Sequence, residues 1–120
     1  MTNRIYFIEH KGKKILHHDL SGCNAEECIK ILEEAKINIT KLPPDNSILG
    51  LNDVRNAKIN TAVLEAAKEY GKMAKPYIAK SAIVGVDGIR NVMLQGIIQI
   101  SNINLKQFDT IEKAKDWLVE

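Results

Sequence analysis

Two short, nearly continuous apolar runs constrain this chain most: Ser47 to Leu51 (SILGL) and Ser81 to Val86 (SAIVGV). Runs of this length, without polar alternation and bounded by turn material, suit strands buried on both faces of a parallel sheet. Parallel neighbours cannot be joined by a tight turn and require a crossover, usually a helix. The intervening sequence supplies one. From a start near Asn60 or Thr61, the residues Leu64, Ala67 and Gly71 recur at helical spacing as its inner face, and Pro76 stops it.

The flanks extend the same scheme. Arg4 to Glu9 (RIYFIE) and Lys14 to Leu20 (KILHHDL) read as strands, with Lys11-Gly12 as turn material between them. An antiparallel register that pairs Glu9 with Lys14 also pairs Arg4 with Asp19 and sets Ile8 opposite Ile15. Asn24 and Glu27 form a capping-box pattern, and Cys28, Ile31, Leu32, Ala35 and Ile39 follow at helical spacing to about Asn38. A polar loop, Asn52 to Lys58, leads to the second helix. A further helix is predicted from Ile89, Val92, Met93, Gly96, Ile97 and Ile100, then a strand over Leu105 to Phe108. Asp109 and Glu112 repeat the capping pattern before a closing helix carrying Ile111, Ala114, Trp117 and Leu118. The order β-β-α-β-α-β-α-β-α predicts one α/β domain over residues 1–120. Its sheet is five-stranded and mainly parallel, with an antiparallel edge strand from the N-terminal hairpin.

Composition narrows the classes. At 120 residues, 45% hydrophobic and 27% charged, the chain can bury a core without metal or disulfide staples. No run approaches a membrane span, and the four apolar residues after Arg4 are too few for a secretory signal, so the expected location is cytoplasmic. A net charge of +2 and an aromatic content of 5% argue against nucleic acid as a partner. The lysines at 11, 13 and 14, and at 72, 75 and 80, read as solvated. Cys23 and Cys28 lack C-x-x-C spacing; Cys28 is expected to be a small core residue.

No catalytic set emerges. His17 and His18 are adjacent on a strand and point to opposite faces, so they cannot share a metal, and all three histidines are expected at the surface or an edge. Ser47, Ser81 and Ser101 lack a nucleophile elbow. Gly85-Val86-Asp87-Gly88 lacks a phosphate-loop lysine and reads as a tight turn with Asp87 as a cap. The pairs Glu26-Glu27 and Glu33-Glu34 read as helix-surface charges. The expectation is a non-enzyme with no cofactor and no metal. The helix predicted over Ile89 to Ile100 adds Leu94 and Ile98 to its stripe, giving a wide apolar arc. Central burial, a dimer interface and a ligand pocket each account for that arc.

The stretches IEHKGKKILHHDLSG, PPDNSILGLNDV, KPYIAKSAIVGVDGIRNVML and FDTIEKAKDWL together resemble the SpoIIAA-like group, specifically bacterial STAS/CRAL-TRIO-like single-domain proteins. The resemblance implies a β/α superhelix with strands in roughly sequential order. Sporulation antagonists in this group are switched by phosphorylation of a serine after the strand matched by Ser47 to Leu51. Asp53-Val54 matches the start of their loop, but Lys58, Ile59 and Asn60 replace its acidic residue, first serine and acceptor serine. Thr61 is the nearest hydroxyl and reads as a cap or first-turn residue.

These readings converge on a binding or regulatory module of the STAS type that acts through protein contacts, with a homodimer as one arrangement. Its working surface is expected at the C-terminal edge of the parallel strands, bringing together Asn52, Asp53, Arg55, Asn60, Thr61, Asp87 and Arg90. Asp53 and Asn60 would fix the loop, and Arg55 and Arg90 would meet an anionic group. The alternative is a carrier or sensor of a small apolar, lipid-like ligand, with Leu94, Ile97 and Ile98 forming the groove or, equally, a dimer face.

Overall fold

Lys11 and Gly12 take φ angles of 51° and 82°, the left-handed pair that a two-residue hairpin turn requires. The turn joins β1 (Ile5–His10) to β2 (Lys13–Asp19) in an antiparallel pair with Glu9 opposite Lys14, Ile8 opposite Ile15 and Tyr6 opposite His17. This is the register the charges predicted. Just beyond the pairing, the Asp19 amide donates to the Arg4 carbonyl at 2.8 Å, and the two side chains lie 3.7 Å apart.

The computed structural model describes residues 3–88, residue 95 and residues 104–120. After the hairpin come α1 (Ala25–Ile39), β3 (Ile48–Asp53), α2 (Thr61–Ala74), β4 (Ile78–Val84), β5 (Leu105–Phe108) and α3 (Ile111–Leu118). The five strands form one mixed sheet in the order β1-β2-β3-β4-β5, with every pairing after the hairpin parallel. The fold is therefore the α/β arrangement expected. The helix predicted over Ile89 to Ile100, with Arg90, Leu94, Ile97 and Ile98, lies outside the described residues except for Gln95.

Local signals explain most helix starts. Asn24 Oδ1 accepts from the Glu27 amide at 2.8 Å while Glu27 Oε1 accepts from the Asn24 amide at 3.0 Å, a complete capping box. Asn60 caps α2 through the Val63 amide at 2.9 Å. The last helix corrects its expectation: Thr110, not Asp109, is the cap, and Asp109 pairs with Lys113 at 3.2 Å. Two strands are also displaced from their apolar runs. β3 extends through Asn52 and Asp53, which the polar composition placed in a loop, because His18 and Asp19 of β2 pair with them. β4 begins at Ile78 and ends at Val84, because Gly85 turns the chain at a φ of 101°.

Alternation along β2 divides the core. Leu16 and Leu20 join Cys28, Ile31, Leu32 and Val63 beneath α1 and α2. Ile15 joins Leu51, Ala82, Val84, Ala114 and Leu118 beneath α3. The loops following β2 and β3 are tied across the C-terminal edge of the sheet by backbone bonds, Gly22 N to Arg55 O at 2.9 Å and Lys58 N to Cys23 O at 2.9 Å.

Gly85 closes that edge on the β4 side. A Cβ there would stand 2.5 Å from the Arg55 backbone nitrogen, and its φ disfavours any L side chain. Gly85→Ala should therefore cost about 2–4 kcal/mol, combining backbone strain with displacement of the Arg55 loop. Urea unfolding of the two proteins measures this; a loss below ~0.5 kcal/mol would mean the contact is not close.

Candidate functional site

The parallel register sets His18 of β2 beside Asn52 of β3, both on the sheet face covered by α1 and α2. His18 is only 2% exposed, which corrects the surface or edge placement expected for it. Its place between Leu16 and Leu20, two residues away on either side, was the signal for an inward side chain. His10 and His17 are partly exposed. The His17 ring packs against Tyr6 across the hairpin at 5.0 Å, and burial lowers its pKa.

A buried imidazole needs partners. His18 Nδ1 lies 3.0 Å from Asn52 Oδ1, and Nε2 lies 3.5 Å from the Tyr70 hydroxyl of α2, with the two rings nearly perpendicular at 89°. The directions follow from one fixed acceptor. Asn52 Nδ2 donates to the Ala82 carbonyl at 3.1 Å, so its Oδ1 faces His18 and Nδ1 must carry the proton. Nε2 is then bare, and the Tyr70 hydroxyl donates to it. Burial pushes the His18 pKa down to about 4, against the opposing bond to Asn52, so the ring is neutral near pH 7. Burial likewise raises the Tyr70 pKa.

Asn52 and Tyr70 also line a cavity of about 350 Å³. The space arises from small side chains. α2 presents Ala67, Gly71 and Ala74, and β4 presents Ala79 and Ser81, where larger residues would close the gap. Leu64, Ala67 and Gly71, the inner face read from helical spacing, all lie on this wall. Leu20, Leu32, Val54, Val63, Ile78 and Ile83 make much of the remaining lining apolar. Exposed Asn46, Lys75 and Asn104 contribute polar lining.

The expected edge surface is only partly assembled. Asp53 follows Asn52 and therefore points to the opposite face, where its buried carboxylate grips Arg55 through Nε at 2.9 Å and Nη2 at 2.7 Å. Asp53 Oδ1 also accepts from the Arg55 amide at 3.1 Å, so it fixes the loop as expected, while Arg55 already holds an anion, its own neighbour. Asn60 is a helix cap, Thr61 is an exposed first-turn residue, and Asp87 is exposed. Cys23 and Cys28 are buried free thiols, and burial pushes Cys28 up to about 11. Tyr70 and Ser81 were not singled out by sequence for this site, because neither carries a motif. No family model matches the chain, and a search of curated proteins finds no significant match.

The neutral His18 has a consequence for acid stability. Its pKa falls from an ordinary 6.5 to about 4, so between those values the unfolded chain binds a proton that the folded chain refuses. Stability from this site is full above pH 6.5 and declines as pH falls toward 4, by about 3 kcal/mol in total. His17, also lowered, acts in the same direction. Urea unfolding across this range should show the decline in the parent and a much flatter profile in His18→Gln; equal slopes would assign the effect elsewhere.

Proposed function

We propose that this chain is a non-enzymatic binding module whose ligand is a small apolar molecule held in the cavity between α2 and the sheet. The carrying observation is the cavity itself: about 350 Å³, largely apolar, with a small polar set along its wall. Ligand sites commonly combine that size range with few polar groups that orient the occupant. The chemistry of Tyr70 in the wall, and of His18 behind it, supports binding over turnover. With a pKa near 4, His18 is a weak base at neutral pH, and burial keeps the Tyr70 proton in place.

The STAS-type reading, action through protein contacts, is favoured by a different observation. The Arg55 side chain is 54% exposed yet held in two bonds by Asp53, a rigid, charge-compensated guanidinium at the sheet edge that suits hydrogen-bond acceptors on a partner surface. The sequential strand order supports the resemblance to the SpoIIAA-like group in the same measure. Native mass spectrometry of protein drawn gently from its own cells separates the readings. A small added mass lost on denaturation supports the cavity, and a protein complex without it supports the edge.

Filling the cavity gives a direct test. Gly71→Leu adds a branched side chain to the α2 wall of the cavity and improves helix propensity. Fluorescence titration with N-phenylnaphthylamine should show binding to the parent weakened at least ~10-fold in the variant, on the order of the apolar volume lost. Unchanged binding, with circular dichroism showing a folded variant, would remove the cavity from consideration.

A further inference from the structure

The hydrogen-bond directions around His18 define what the cavity can recognise. Asn52 is oriented by the Ala82 carbonyl, His18 carries its proton on Nδ1, and the only proton on the Tyr70 oxygen is directed to His18 Nε2. A phenolic oxygen that has spent its hydrogen offers lone pairs alone. Any ligand group that meets Tyr70 must bring a proton. A carboxylate or an ether brings only lone pairs and faces repulsion there.

We propose that the cavity selects a neutral apolar alcohol, its hydroxyl donating to the Tyr70 oxygen while its hydrocarbon body lies against Ala67, Gly71 and Ile83. The assignment rests on the cavity reading above and adds to it the chemical class of the occupant. The Ser81 hydroxyl, also in the wall, makes no hydrogen bond among the described residues and can give or accept one as the ligand needs.

Decanol and methyl nonyl ether provide the test, because they are isomers that differ in the hydroxyl proton. Each is titrated against N-phenylnaphthylamine bound to the full chain. A purely apolar cavity favours the ether, since an alcohol loses more hydration on entry. A proton taken by Tyr70 reverses that order. Decanol should displace the probe at about fivefold lower concentration than the ether, the scale of one net hydrogen bond. In Tyr70→Phe the order should revert to favour the ether. The isomer comparison in the parent needs no variant, so it decides the matter even if Tyr70→Phe fails to fold. Equal displacement by both isomers, or displacement favouring the ether, in the parent would overturn the alcohol assignment and leave the cavity reading standing. A preference that survives in folded Tyr70→Phe would overturn the role of Tyr70. Failure of the probe itself to bind would overturn both.

Discussion

Everything in this structure depends on the register of β2, which pairs antiparallel with β1 on one side and parallel with β3 on the other. Its alternation sends Ile15 into the core beneath α3 and Leu16, His18 and Leu20 beneath α1 and α2. A slip by one residue would exchange those sets and bury Asp19 and His17 in place of apolar side chains. The pairing of Glu9 with Lys14 and the contact of Arg4 with Asp19 disfavour the slip, since both belong to this register alone. The exposed pairs contribute little energy each, yet they discriminate between registers that hydrophobicity separates less sharply.

Given that register, a polar ring lands inside an apolar layer, and the consequences spread. His18 is tolerated because Asn52 stands directly across from it and Tyr70 reaches it from α2. Removing one partner leaves the other buried and unsatisfied, at roughly 1–3 kcal/mol. His17, one residue away, meets the opposite circumstance. Its Nε2 is buried without a hydrogen-bond partner among the described residues, but the ring is partly exposed and lies against Tyr6. Adjacent residues of one type thus have different roles because the pleat sends them to different faces.

Periodicity and caps made the fold legible. The hairpin register, the α1 capping box, the start of α2 and the apolar faces could all be read from neighbours along the chain. The displaced boundaries of β3 and β4 could not, because they are set by pairing: polar Asn52 and Asp53 become strand where β2 supplies partners, and Ser81 to Val86 loses its last two residues to the Gly85 turn. The site was less legible for the same reason. His18 carried a usable signal in its apolar neighbours two residues away. Tyr70 carried none, since the meeting of α2 with β2 joins residues 52 positions apart. A cavity is harder still to read, because it arises from small residues on two elements that are innocuous taken singly.

The two candidate surfaces are joined at one dipeptide. Asn52 faces the cavity and Asp53 faces the edge, so substitution of either disturbs the strand that carries both. Loss of the Asn52 side chain would leave the His18 proton without its acceptor and free the Ala82 carbonyl, and any effect on binding would be inseparable from that damage. Loss of the Asp53 carboxylate would release the loop through Arg55, whose backbone also packs against Gly85. Gly71 occupies a different position. It stands on α2, which among the described elements packs mainly against α1 and is anchored by its own cap at Asn60. The cavity can therefore be altered from the helix side while the sheet register and the edge remain intact, and this separability allows the two readings to be told apart.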